Sequence, residues 1–334
     1  MDEILNQVKK AKNIVIVPSF RLDADCMGSA LGLKGILESQ GKKPTVVFSG
    51  GNAGRFNFLK GADEIIFQDL FEFDFTPFDL AIFLDGPTIG QFYDFEKHRG
   101  QELSLPIKTI SIDHHEADKD FADITFCDPK ASSTCELIYK IFVNGEKISK
   151  EIATCLFVGI SSDTGHFKHN NTTPECLKIA ANLLEAKVDI SYIYAQLYNT
   201  QNYMAVQFSG HLISKIKLDK DYKYAFYTFS PENGFSNEEM AEGSQIARDK
   251  VMLSLGGIDF CFVLKEEGSG FIKGSLRSRV QEILNLDLLA KILSPEKGGG
   301  HKEAAGFTLT GMTLEEAEKY VQEMIAKYYD RIKI

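Results

Sequence analysis

Ile107-Lys108-Thr109-Ile110-Ser111-Ile112-Asp113-His114-His115 is the stretch that decides how this chain reads. An apolar run with strand character ends in a carboxylate and two adjacent imidazoles, groups that are costly to bury unless they bind something. The same ending recurs. Asp23 and Asp25 follow Asn13-Ile14-Val15-Ile16-Val17, Asp85 follows Leu80-Ala81-Ile82-Phe83-Leu84, and Asp163 follows Leu156-Phe157-Val158-Gly159-Ile160. One Asp after a strand is ordinarily an N-cap or turn residue. Four such endings, one of them carrying His-His, are hard to assign to capping. In an open parallel sheet, ligands bind beyond the carboxyl ends of the strands. Oxygen and imidazole donors converging there without thiolate suit Mn²⁺, with Mg²⁺ as the alternative. The pattern is that of a metal-dependent hydrolase.

Working outward, short apolar strands alternate with helical stretches up to about residue 187. Strands are expected at 13–18, 44–48, 64–67, 79–84 and 107–112. Helices are expected from Gly28-Ser29 onward, at 133–143 and at 174–187, the last with Pro174 in the first turn after Thr172-Thr173. Segment 151–162 is apolar throughout and fits a helix or a strand by period. This alternation implies an α/β fold with a doubly wound, mainly parallel sheet. Residues 189–215 look helical and serve as a connector between a first domain, 1–188, and a second, smaller α/β domain, 216–334. In the second domain, strands are expected at 223–229, 258–265 and 270–276, with Lys265–Gly270 as a hairpin turn. Helices are expected there at 236–250, 286–293 and 313–328.

At 334 residues, two domains are the natural expectation. A net charge of −10 argues against a broad electrostatic grip on long DNA, while leaving room for a short anionic substrate in a local basic pocket. Cys26, Cys127, Cys135, Cys155, Cys176 and Cys261 form no CxxC pair, which suits reduced thiols in a cytoplasm. No apolar run approaches the length of a membrane span. The acidic start, Met1-Asp2-Glu3-Ile4, lacks the basic opening of a signal peptide, so a cytoplasmic location is expected.

Six motifs carry chemistry. Asp23-Ala24-Asp25 presents two carboxylates ahead of Gly28 and Ser29, where a helix N-terminus favours a phosphate oxygen. Asp85-Gly86-Pro87 leaves Asp85 at a strand tip. Asp113-His114-His115 is the third. Asp163-Thr164-Gly165 is the fourth, with His166 and His169 close behind. In the second domain, Gly298-Gly299-Gly300-His301-Lys302 offers backbone N–H groups to an anion and two cationic or donor side chains. Gly274-Ser275-Leu276-Arg277-Ser278-Arg279 ends a strand with arginines able to hold phosphate bidentately. Each alone also reads blandly, as a cap, a turn or a solvated loop.

In this order, the motifs resemble the DHH–DHHA1 phosphoesterases over nearly the whole length. The two-domain plan is similar to the branch of small-oligonucleotide (nanoRNA) exonucleases and pAp (3′-phosphoadenosine 5′-phosphate) phosphatases. The resemblance implies two Mn²⁺ ions in the first domain and an active site in the cleft toward a substrate-gripping second domain. It implies that Asp85 bridges the metals, that Asp25, His114 and Asp163 complete the second site, and that Asp23 serves the first. His115 would face the scissile phosphate or the leaving group, with Asp113 behind it. Arg277, Ser278, Gly299, Gly300 and His301 would bind substrate. One position departs from the pattern: the family usually has His four residues before the first Asp, and here it is Ser19. The resemblance therefore implies a weak or missing first metal site, with Arg21 supplying charge nearby. Short RNA or a small nucleotide is the implied substrate, and a homodimer is compatible with it. A cyclic or linear dinucleotide phosphodiesterase is the second reading. A non-catalytic nucleotide-binding protein, which Ser19 favours, is the third.

Overall fold

The apolar runs at 14–18 and 80–84 form the strands expected of them and are buried throughout, whereas the short strand at 66–67 is exposed. The computed structural model describes every residue except 21, 117–120, 199–200, 269 and 280–282. Arg21 thus lies outside the described residues. The chain divides into two units, Met1–Thr200 and Gln201–Ile334.

In the first unit, α1 (Asp2–Lys10) precedes β1 (Ile14–Pro18) and α2 (Ala24–Ser39). Then come β2 (Thr45–Phe48), β3 (Ile66–Phe67), β4 (Leu80–Leu84), β5 (Lys108–Asp113) and β6 (Ile124–Cys127). All pair in parallel in the order β3-β2-β1-β4-β5-β6. The chain reverses its direction of travel across the sheet between β1 and β4. That is the topological switch point, where the carboxyl ends of parallel strands open a crevice. Because successive strand residues face opposite sides, Ile14 and Ile16 join the helices on one face, while Val15 and Val17 pack with Phe83, Phe92 and Tyr93 on the other. α3 (Thr134–Ile138) runs on into a π-helical turn, Tyr139–Val143. α4 (Lys150–Asp163), α5 (Pro174–Glu185) and α6 (Ile190–Tyr198) complete the unit.

Three sequence expectations need correcting. Segment 150–163 is a helix, so Asp163 ends α4 rather than a strand. A segment buried on all sides shows no usable period, and its length of 14 residues favours the helix. α2 begins at Ala24, not near Gly28-Ser29, because Asp23 caps it: Asp23 Oδ1 accepts from the N–H groups of Asp25 (3.0 Å) and Cys26 (2.9 Å). Gly28 consequently lies inside the helix, where a Cβ would come within 2.4 Å of the Cys155 carbonyl oxygen. It lets α2 approach α4 and offers nothing to a phosphate.

The second unit starts with α7 (Tyr203–Ser214), β7 (Lys217–Asp219), β8 (Tyr224–Phe229) and α8 (Asn237–Gln245), the last extended by a π-helical turn to Val251. β9 (Phe260–Gly268), β10 (Phe271–Ser278), α9 (Leu286–Leu293), β11 (Gly299–Gly300), β12 (Ala304–Thr310) and α10 (Leu314–Ile332) follow. The sheet order is β11-β12-β10-β9-β8-β7, with only β8 and β9 parallel. α9 and α10 cover one face around Phe226, Phe262 and Phe307, and α7 and α8 cover the other around Tyr227 and Phe208. No described helix is long and apolar enough to cross a membrane.

Candidate metal centre

β1, β4 and β5 deliver their carboxyl-terminal residues to the switch point, and α4 brings Asp163 to the same place. His114 is the hub. Its Nε2 lies 3.3 Å from Asp163 Oδ2, 3.6 Å from Asp85 Oδ1 and 3.8 Å from Asp25 Oδ2. It is buried, with no hydrogen-bond partner among the described residues, and so is Asp113 Oδ2. Three carboxylates around an orphaned imidazole nitrogen are too distant for good hydrogen bonds. Donors sharing one cation at about 2.1 Å stand roughly 3.0–3.5 Å apart, close to these spacings. Among the described residues, two overlapping groups satisfy a metal's demand for close donors: Asp25, His114 and Asp163, and Asp85, Asp113, His114 and His115. The donor set is oxygen and imidazole only. These residues fit a hard or borderline divalent cation.

Electrostatics point the same way. Asp85 is driven well above the usual carboxylate range by burial, then by Asp25, Asp23, Asp163 and Asp113. Burial, with Asp25 and Asp23, raises Asp163 to about 9. Asp23, exposed at the start of α2, is raised as well, by partial desolvation and by Asp25. Crowded buried carboxylates of this kind lack the counter-charge that a cation would provide.

Asp25 is fully buried, and the sequence did not show what holds it. Its Oδ2 accepts from Thr134 N (2.6 Å) and its Oδ1 from Cys135 N (2.9 Å), the first amides of α3. Those amides have no partner within the helix. Thr134 also donates through Oγ1 to Asp85 Oδ1 at 3.1 Å. Ser132-Ser133-Thr134 with Glu136 was the available signal. Ser133 caps α3 by accepting from Glu136 N, and Glu136 accepts from Ser132, as in a helix N-terminus signature. Gly159 is a second unforeseen contributor. A Cβ there would come within 2.6 Å of Asp25 Oδ1 and 2.3 Å of Cys135 Sγ. Asp85 adopts a left-handed φ of 65°, uncommon outside glycine though least so for Asp and Asn. Asp113 Oδ1 accepts from both the backbone N (3.1 Å) and Nδ1 (2.9 Å) of His115. That bond raises the pKa of His115 above its ordinary value. His115 is half exposed.

Other sequence candidates stand apart. Asp23 and Ser19 belong to neither donor group. Ser19 is buried, its hydroxyl donating to the Gln91 carbonyl at 3.4 Å. His166 Nδ1 meets Ser161 Oγ at 2.9 Å, and His169 Nδ1 meets the Asp163 carbonyl at 3.3 Å. In the second unit, Arg277 is half-buried near the end of β10, its Nη1 donating to the Leu276 carbonyl at 2.8 Å. Ser278 bonds through its N–H to the Glu303 carbonyl. The glycine run is less free than a loop. Gly299 and Gly300 pair with Gly306 and Ala305, and Gly300 N donates to Asp287 Oδ1 at 2.9 Å. His301 is exposed just beyond, its backbone N–H bonded to the Ala304 carbonyl.

The sheet's switch point gathers Asp25, Asp85, His114 and Asp163, and a separate sheet-and-helix unit follows; the chain belongs to the DHH family of metal-dependent hydrolases of phosphoester bonds. The model of the DHH family N-terminal domain matches residues 13–160, and that of the DHHA1 domain matches residues 221–328. The chain is 24% identical over 327 residues to the bifunctional oligoribonuclease and PAP phosphatase NrnA of Bacillus subtilis, covering 96% of each. It is 28% identical over 319 residues to the protein of the same name from Thermus thermophilus, covering 92% of this chain and 88% of that one. Among solved structures, an exopolyphosphatase-related protein from Bacteroides fragilis superposes with a TM-score of 0.79 at 29% identity, covering 98% of this chain and 96% of that one.

Proposed function

We propose that this protein is a Mn²⁺-dependent phosphoesterase acting on short oligoribonucleotides and on pAp. The observation that carries the reading is His114 Nε2, buried, without a hydrogen-bond partner and ringed by three carboxylates. Relatives named for oligoribonuclease and PAP phosphatase activity, matched almost end to end, support the substrate class. Asp25, Asp85, His114 and Asp163 would hold the ion. When bound, a divalent cation supplies Lewis acidity toward water and phosphoryl oxygens.

The remaining work falls to the protein. The α3 amides fix Asp25, so that its carboxylate needs no rearrangement to bind. Asp113 orients the His115 ring through Nδ1 and favours its protonated form, whose Nε2–H would be free to donate to a phosphoryl or leaving oxygen. Arg277 and His301 would bind the anionic or base portions of substrate. With Ser19 and Asp23 outside the donor groups, a first of two ions would be the weaker one.

The test is a panel of pAp, di- to pentaribonucleotides and cyclic dinucleotides on metal-stripped protein, with Mn²⁺, Mg²⁺ or Zn²⁺ restored. Mn²⁺ should restore hydrolysis of pAp and of the short RNAs best, and Asp85→Ala should abolish it. Full activity in chelator removes the mechanism. Turnover of cyclic dinucleotides alone moves the substrate class, and binding without turnover makes the chain a nucleotide-binding protein.

A further inference from the structure

Beyond Asp163 the backbone does something costly. Gly165, His166 and Phe167 all have left-handed φ values of 54°, 60° and 61°. Two of the three are not glycine, and such residues persist only where their surroundings fix them. His166 is fixed by Ser161, whose carbonyl accepts its N–H (2.7 Å) and whose hydroxyl meets Nδ1 (2.9 Å). The turn carries the imidazole against α6. Its ring centroid lies 4.8 Å from Tyr198, edge to face, and 5.8 Å from Tyr194. Tyr194 and Tyr198 are one helical turn apart on one face, with ring centroids 5.1 Å apart.

Core packing accounts for Tyr198, which rests on the first unit's apolar cluster. It does not account for Tyr194, which is 51% exposed. No hydrogen bond engages the Tyr194 hydroxyl among the described residues. A rigid aromatic ring is thus held open to solvent by a strained turn that starts next to a metal-site carboxylate. Successive Cα atoms are 3.8 Å apart, so Asp163 and His166 are separated by at most about 11 Å. With stacked bases spaced about 3.4 Å apart, that bound, with the 5.8 Å from the His166 ring to the Tyr194 ring, puts the tyrosine within a few nucleotides of the site.

We propose that Tyr194, backed by Tyr198 and His166, is a stacking platform for a nucleobase of the oligonucleotide substrate, displaced by one or more nucleotides from the phosphate under attack. The proposal rests on the functional reading above and adds the residues that would favour an oligonucleotide over pAp. pAp carries a single base, so it gains nothing from a platform that serves a neighbouring nucleotide. Stacking tolerates any base because each has a π face. Tyr194 would therefore contribute affinity for chain length rather than for sequence.

The experiment uses the full chain and a triribonucleotide with phosphorothioate linkages carrying 2-aminopurine at each position in turn, with pAp in parallel. In the wild type, one position should be quenched well beyond the others. Tyr194→Ala should abolish that quenching and weaken triribonucleotide binding by about 5- to 150-fold, the usual effect of removing a stacked aromatic. Tyr194→Phe, which keeps the ring, should stay within about two-fold of the wild type. Both should leave the KM for pAp unchanged. Because Tyr194 is half exposed, the variants are expected to fold, and circular dichroism checks this. Equal triribonucleotide binding in wild type and Tyr194→Ala overturns the platform while leaving the phosphoesterase reading intact. A parallel loss for pAp overturns it also, by showing a general effect on the site. A wild-type protein that binds neither ligand removes the functional reading, and the platform with it.

Discussion

Gly159→Ala is the substitution that most directly probes how the site is held. Gly159 lies in α4, where alanine is favoured by about 1 kcal/mol in helix propensity. Against this, the added Cβ would stand 2.3 Å from Cys135 Sγ, 2.6 Å from Asp25 Oδ1 and 3.0 Å from Asp25 Cα. To move from 2.6 Å to ordinary contact at 3.4 Å, Asp25 Oδ1 must retreat by about 0.8 Å. Overpacking of this kind costs about 1–3 kcal/mol, so the net loss of stability should be about 0–2 kcal/mol. The functional loss should be larger. A retreat of that size pulls Asp25 off the Thr134 and Cys135 amides, and misplacing a reacting geometry by about 1 Å costs on the order of 100-fold in rate. The assay pairs thermal melting with calorimetric metal titration and turnover. Gly32→Ala is the control. It crowds the same helix pair, but against the flexible Leu156 side chain at 2.6 Å and away from Asp25. Both variants should fold, and only Gly159→Ala should lose metal affinity and rate. A folded Gly159→Ala protein with wild-type metal binding would falsify the account of how Asp25 is placed.

Three further outcomes are expected. Thr134→Val removes the hydroxyl that donates to Asp85 Oδ1 and should lower metal affinity or turnover about 10- to 100-fold, as loss of such supporting bonds does; titration reads it directly. Asp69 sits at about 2: burial works against its charge, but hydrogen bonds from Lys97, His98 and the Phe71 amide outweigh it. Its folded pKa is below the unfolded value of 3.8, so its contribution is complete above that value and fades as the pH falls toward 2. The melting-temperature gap between wild type and Asp69→Asn should therefore be constant near neutrality and close across that window, and a gap independent of pH would count against the assignment. Ser19→His should tighten a second, weaker step in Mn²⁺ titration, and an unaltered isotherm would show that an imidazole there reaches no ion.

Much of the catalytic half was legible because its chemistry sits where strands end. Asp85 follows β4, which is apolar and buried throughout, while Asp113 closes and His114 follows β5, which is buried from Ile110 onward, and strands buried on both faces announce themselves as apolar runs. Asp163 was singled out for a reason that failed, since α4 is apolar and buried along most of its length and period could not separate helix from strand. The two amides that hold Asp25 lie about 110 residues further along the chain. Backbone N–H groups carry no residue type, so no motif could mark them. Gly28 and Gly159 are legible only as glycines, because what each excludes is a neighbour known from packing alone. In the second unit, β12 alternates buried Ala305, Phe307 and Leu309, but the preceding glycines disguised it as loop. β6 is short and half exposed, which weakens its apolar signal.

Asp25 shows how unevenly this centre can drift. Its carboxylate joins the start of α2 to the start of α3 in a fully buried place, so any replacement that cannot accept from both amides strands two donors and loosens the fold. Position 19 carries less of this burden, since its side chain, though buried, makes one long contact to the Gln91 carbonyl among the described residues. Selection for a folded chain alone therefore preserves Asp25 and leaves position 19 freer to vary. A descendant that stopped hydrolysing anything would lose its chemistry first at the positions that do no structural service, while Asp25 persisted as a relic. An intact Asp25 in a related sequence is accordingly weak testimony to activity, and His114, whose Nε2 has no structural partner, is the stronger witness.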